Sequence, residues 1–219
     1  MIYSEKFKFL FLAIPKTGTT FVERILVDLA NGLGDDTLTT PNPKLSKKVG
    51  IYKKHDELKK LKDVDFNNKF SFAFTRNPYD RVVSWYSYLT QKLNDADQRQ
   101  EHIDKYGKEF LSGDFTDFVK YAPDWITQSS LDWCVDEKNN RRVSFVGKYE
   151  NFNDDLEYVL KHIFRSELSF VDFLRLCKID DWAYNSSKHK KYTEYYTSET
   201  KKIIQNKCAD ELNYFKYEF

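Results

Sequence analysis

Residues 14–20, I-P-K-T-G-T-T, place a lysine, a glycine and three threonines directly after a short apolar run. At the mouth of a helix such a turn is a ready anion site, because the first backbone N–H groups point outward and the helix dipole adds positive potential. Lys16 adds a full charge. A bare T-G-T-T would read as Thr17 capping a helix and Gly18 serving the turn; the buried strand expected before it and the amphipathic helix expected after it favour phosphate, held by Lys16, Thr17, Gly18, Thr19 and Thr20. The turn is not a Walker A loop, since Lys16 precedes the single glycine instead of following a second one. A second string, T-R-N-P-Y-D-R-V-V-S-W-Y at 75–86, puts Arg76 where a nucleoside-triphosphate hydrolase would carry a metal-binding Asp. Arginine offers a fixed fork of donors to phosphate oxygens and cannot ligate a metal. Ser84, two turns further on, is placed to donate to the same anion. The plainer alternative makes Arg76 a surface partner of Asp80 and Ser84 an ordinary helix residue.

Proton transfer at neutral pH calls for an imidazole, and the chain has four histidines. His102 sits in a charged segment, His162 on an expected helix outside both strings, and His189 in the basic loop S-S-K-H-K-K at 186–191. His55, in Y-K-K-H-D, follows an expected strand, so its side chain would project at the carboxyl edge of the sheet. The alternative is a helix-start histidine beside Asp56 or Glu57. Trp125, in W-I-T-Q at 125–128, would stack on a sugar or fill the core.

Positioning these residues requires alternating strands and helices. Phe7 to Ile14 and Phe70 to Thr75 read as buried strands, Val143 to Val146 as a third, and Val49 to Tyr52 as a short one. Phe21, Val22, Ile25, Leu26 and Leu29 recur at helical spacing until Asn31-Gly32, and Val82, Val83, Tyr86 and Leu89 do so after Pro78, a favoured first-turn residue. Further helices are expected at about 56–61, around Leu156 to Ile163, at 170–176 and at 198–212, with a surface loop at 35–48. The expected fold is α/β: three layers around a central, mainly parallel sheet with a P-loop-like nucleotide-binding core, the ligands lying at the carboxyl ends of the strands.

The two strings together resemble a sulfotransferase that uses 3′-phosphoadenosine-5′-phosphosulfate (PAPS). V-G-K-Y-E-N-F at 146–152 and the run from Tyr192 to Phe219 agree, and the branch most resembled includes carbohydrate sulfotransferases. The resemblance implies a P-K-T-G-T-T loop on the 5′-phosphosulfate, Arg76 and Ser84 on the 3′-phosphate, and Tyr149 beside the adenine unless it packs in the core. It also implies donor contacts from the late basic loop, through Lys188, Lys190 and Lys191, which otherwise form a solvated turn. Lys53 and His55 resemble the K-x-H arrangement of cytosolic sulfotransferases, in which the lysine faces the sulfuryl group and the histidine takes the acceptor proton. Some relatives use a glutamate instead, for which Glu23 is the weaker candidate. No metal is implied: backbone amides, Lys16 and Arg76 balance the donor's charge, and catalysis consists of positioning, neutralising the leaving oxygen and removing a proton.

Composition is compatible with this. The 219 residues, with 35 Lys plus Arg against 34 Asp plus Glu, suit a single domain over 1–219, with 94–142 on the acceptor side. A net charge of +1 means that a polyanion must be held by a local cluster, and nucleic acid is not an expected partner. The longest apolar stretch, Phe9 to Ile14, is too short for a membrane span or a signal peptide, so no membrane partner is expected. Cys134, Cys177 and Cys208 form no C-x-x-C pair, which fits a reducing, cytoplasmic setting. The expected activity is transfer of a sulfuryl group from PAPS to a hydroxyl, with an amine less favoured, on a small-molecule or carbohydrate acceptor. The alternatives are a nucleotide kinase, disfavoured by the missing G-K-[ST], and a non-catalytic nucleotide-binding module.

Overall fold

A computed structural model describes residues 1–41, 48–49, 54–55, 57–58, 68–94, 99–101, 103–104, 114–135, 138, 143–164 and 189–219. In chain order the main elements are β1 (Ile2–Ser4), β2 (Phe9–Leu12), α1 (Thr19–Gly32), β3 (Thr39–Thr40), β4 (Lys48–Val49), β5 (Phe70–Thr75), α2 (Pro78–Asn94), α3 (Phe115–Tyr121), β6 (Phe145–Lys148), α4 (Phe152–Phe164), α5 (Ser198–Lys207) and α6 (Ala209–Phe215). Two compact units result, Met1–Thr75 with Ser130–Ser186, and Arg76–Ser129 with Ser187–Phe219.

The first unit holds a six-stranded sheet in the order β4-β3-β1-β2-β5-β6. β2, β5 and β6 run parallel, β3 and β4 are parallel to each other, and β1 is antiparallel to both of its neighbours. The fold is therefore mixed α/β. β2 is apolar throughout because both of its faces are covered, as central parallel strands require. Successive side chains alternate between two cores. Phe9, Phe11, Phe72 and Phe74 pack with Val22, Leu26 and Leu29 of α1 and Leu156, Val159 and Leu160 of α4. Leu10, Leu12 and Ala73 pack on the opposite face with Leu58, Trp133 and Val143. Gly147 of β6 is set by its neighbour: a Cβ there would lie 2.6 Å from the Phe74 ring. Beyond β6 the chain makes a tight turn into α4, where Asp155 accepts from the Lys148 amide at 2.6 Å and from Asn151 Nδ2 at 3.0 Å.

The second unit is helical. Tyr79, Val82, Val83 and Leu89 of α2 pack with Phe118 and Val119 of α3, Ile204 of α5 and Leu212 of α6. Asn77 starts α2 through its side-chain oxygen, which accepts from the Tyr79 amide at 3.1 Å. Thr197 and Thr200 form a capping box at the start of α5.

Three expectations are corrected. β1 precedes the strand expected first, and β3 lies in the expected 35–48 loop, because a two-residue strand is held by its partner Tyr3 and carries no periodicity of its own. The helix expected over 198–212 is two, broken at Cys208 (φ −113°, ψ 19°). The expected helices at 56–61 and 170–176 fall largely or wholly outside the described residues, as do residues 50–52 of the expected fourth strand. Among the described residues, no helix is long and apolar enough to cross a membrane.

Candidate active site

In the first unit, the turn between β2 and α1 is built by backbone geometry. Lys16 (φ 66°) and Gly18 (φ 82°) both adopt the left-handed region, which is costly for lysine and concentrates at functional sites. The Thr17 hydroxyl donates to the Ile14 carbonyl at 2.9 Å, so this buried side chain fastens the turn. Gly18, not Thr17, is the N-cap, and its carbonyl accepts from Phe21 and Val22 at 3.0 and 3.2 Å. The first turn of α1 contains no acidic residue, which leaves the positive end of the helix dipole uncompensated there. Beneath the turn, a Cβ on Gly18 would lie 2.9 Å from Phe152 and 3.4 Å from Tyr149, whose rings pack with centroids 5.7 Å apart. Tyr149 is thus half-buried against the loop.

A polar cluster adjoins the turn. Lys54 Nζ donates to Thr20 Oγ1 at 3.3 Å and lies 2.6 Å from Glu23 Oε2. The other Glu23 oxygen accepts from the Thr40 hydroxyl at 3.3 Å. Glu23 is only 4% exposed, and with both oxygens engaged it is poorly placed to collect a substrate proton. His55 sits at the carboxyl end of β2, with Nδ1 2.6 Å from the Ala13 carbonyl. A carbonyl can only accept, so Nδ1 carries the hydrogen and the neutral ring presents its lone pair at Nε2. Trp133 stands edge-on to the ring at 6.4 Å. Removal of the ring from water holds the His55 pKa below the ordinary imidazole value, opposed by the Ala13 hydrogen bond and assisted by the Lys54 charge. Residue 55 keeps an exposed face even so.

In the second unit Arg76, directly after β5 in the chain, is 6% exposed. Its Nε donates to Asp80 Oδ2 at 2.8 Å, and its Nη2 lies 3.5 Å from His189 Nε2. The ion pair with Asp80 that the plainer sequence reading offered is present, with Arg76 buried and Asp80 half-buried. Ser84 is also buried, two turns along the same helix.

A sulfotransferase family model matches residues 1–218. The chain belongs to the sulfotransferase family. No curated protein and no solved structure matches it.

Within this sulfotransferase, the expected 5′ loop, Tyr149 and His55 share the first unit, and Arg76 and Ser84 share the second. Lys190 and Lys191 are exposed, while Lys188 and Lys53 lie outside the described residues. Trp125 is 37% exposed and packs edge-on against Trp85 at 5.0 Å, combining surface and core roles. Two residues escaped the sequence reading of the sulfotransferase site. Lys54, one position beyond the K-x-H lysine, meets Thr20 of the loop; only the spacing of two adjacent lysines hinted at it. His189 was passed over as part of a basic run, because its contact with Arg76 spans 113 positions.

Proposed function

We propose that this sulfotransferase transfers a sulfuryl group from PAPS to an acceptor hydroxyl, with β2, the turn and α1 acting as a P-loop-like core in a three-layer fold. The observation that carries the reading is the strained turn at the head of α1 with a neutral, Nε2-basic histidine beside the strand that feeds it. PAPS supplies an activated sulfuryl group on a phosphate leaving group. The amides of the first turn of α1 bind the 5′ phosphate oxygens, and Lys16 neutralises charge developing on the leaving oxygen, which makes its contribution largest in the transition state. His55 Nε2 takes the acceptor proton. Its Nδ1–H bond to Ala13 fixes the ring and stabilises the imidazolium that forms. Arg76 and Ser84 recognise the 3′-phosphate, and Tyr149 flanks the adenine. Lys53, Lys188, Lys190 and Lys191 add cationic charge along the donor. The acceptor is a small molecule or a carbohydrate.

Ligand bound only by the native state raises thermal stability, which gives a test that needs no acceptor. Adenosine 3′,5′-bisphosphate should raise the melting temperature far more than AMP or ATP, and Arg76→Ala should remove the difference. Equal shifts for ATP and the bisphosphate would overturn the reading in favour of a kinase.

A further inference from the structure

We propose that His189 is a donor-binding residue that takes up a proton as the 3′-phosphate of the donor arrives, so that donor affinity declines as pH rises. The inference rests on the assignment of Arg76 to that phosphate. Arg76 spends its Nε on Asp80 at 2.8 Å, so the pair carries no net charge and by itself offers a phosphate dianion little electrostatic attraction. A group able to add positive charge beside the pair strengthens the site, and His189 is in contact with it. His189 Nε2 lies 3.5 Å from Arg76 Nη2 and 3.9 Å from Asp80 Oδ1.

The ring is oriented for that role. His189 Nδ1 lies 2.7 Å from the Lys190 carbonyl, so Nδ1 carries a hydrogen in either protonation state and Nε2 is the atom that titrates. When neutral, Nε2 accepts from the Arg76 guanidinium at the long end of hydrogen-bond distance. When protonated it becomes a donor, and the Arg76–Asp80–His189 cluster gains a net charge of about +1. Among the described residues, the titratable and charged groups facing the ring are Arg76 and Asp80 and, edge-on at 6.4 Å, Tyr195. The charged side chains next to it in the chain are Lys190 and Lys188. The bound dianion tips the balance towards the protonated form. The proton comes from solvent, no covalent bond changes, and the imidazolium then donates to a phosphate oxygen beside Arg76.

The sign follows from linkage. An anion beside an imidazole favours its protonated form, so the added affinity is present at low pH and is lost as pH rises. A phosphate monoester has its own second pKa near about 6 and is already dianionic above about pH 7. For an ordinary imidazole, a one-unit rise in pKa on binding gives about a threefold loss of affinity between about pH 7 and about pH 9, and a two-unit rise about twentyfold.

The test is calorimetric titration of the full chain with adenosine 3′,5′-bisphosphate and with AMP across that window, for wild type and His189→Gln, repeated at the lowest pH in buffers of different ionisation enthalpy. The AMP series cancels whatever titrates at the 5′ end. The wild-type affinity ratio of bisphosphate to AMP should fall at least about threefold, with proton uptake at the lower end, whereas the Gln variant should hold the high-pH ratio throughout. A constant wild-type ratio without proton uptake, or the same slope in His189→Gln, would overturn the role of His189 and leave Arg76 on the phosphate. A wild type that binds both nucleotides alike at every pH would overturn both assignments. If the variant does not fold, the wild-type slope and proton uptake decide the matter alone.

Discussion

His55 illustrates how a single hydrogen bond selects a chemical role. The Ala13 carbonyl claims Nδ1–H at 2.6 Å, so the proton-accepting lone pair is fixed at Nε2, and burial keeps it available by lowering the pKa. Under the proposed mechanism, His55→Ala should lose about 10²-fold or more in turnover with donor affinity close to wild type, measured on an acceptor found by a radiolabelled-donor screen. The wild-type pH profile should place its acid limb below about 6.5, because the base works only when neutral and its pKa is depressed from that value. Near-normal turnover in the variant would move the base elsewhere. The sequence pointed to this histidine because histidines are few, an expected strand precedes it and Lys53 completes the K-x-H spacing. Its tautomer was not legible, since Ala13 lies 42 positions away in the chain.

At the scale of elements, the turn between β2 and α1 depends on Gly18 in two ways that a sequence string only half reveals. Its positive φ was foreseeable from a glycine in a tight turn; the approach of Phe152 to 2.9 Å of a would-be Cβ was not, because it needs α4 folded against α1. Gly18→Ala combines left-handed strain with that clash and should cost about 1–3 kcal/mol while abolishing stabilisation by the bisphosphate. Gly32→Ala is the control: nothing lies within 4 Å of its Cβ position, and removing a glycine from a helix should leave the melting temperature unchanged or slightly raised. Equal behaviour of the two variants in thermal melts would refute the account of the turn. The same contrast explains which elements the sequence revealed. β2 stood out because burial on both faces demands an unbroken apolar run, and β5 because its three phenylalanines recur at every second position. β1 and β3 exist through pairing alone, and the break at Cys208 carries no glycine or proline to announce it.

For the whole molecule the family match over residues 1–218 fixes the class of activity, but stability rests on contacts that no motif contains. Arg81 lies inside the T-R-N-P-Y-D-R string, yet its partner is Glu211, 130 positions away, joined through two bonds of 2.7 and 2.8 Å. The same guanidinium donates to the Gln128 carbonyl at 2.9 Å, so one side chain ties α2 to α6 and to the segment after α3. Arg81 is 2% exposed and Glu211 is fully buried, which makes the pair costly to desolvate and more costly to break. Glu211→Leu leaves the Arg81 charge buried without its carboxylate and should destabilise the chain by about 3–5 kcal/mol, a large share of the about 5–15 kcal/mol that holds a typical native protein. At about 2–4 °C per kcal/mol for a chain of this size, the melting temperature should fall by about 6–20 °C. Adding Arg81→Met to that variant removes the stranded charge and should recover most of the loss, since an apolar pair of similar volume is often no worse than a buried ion pair. Circular-dichroism melts of the two variants decide it. A single variant as stable as wild type, or a double variant less stable than the single, would show that the pair does not anchor the helical unit.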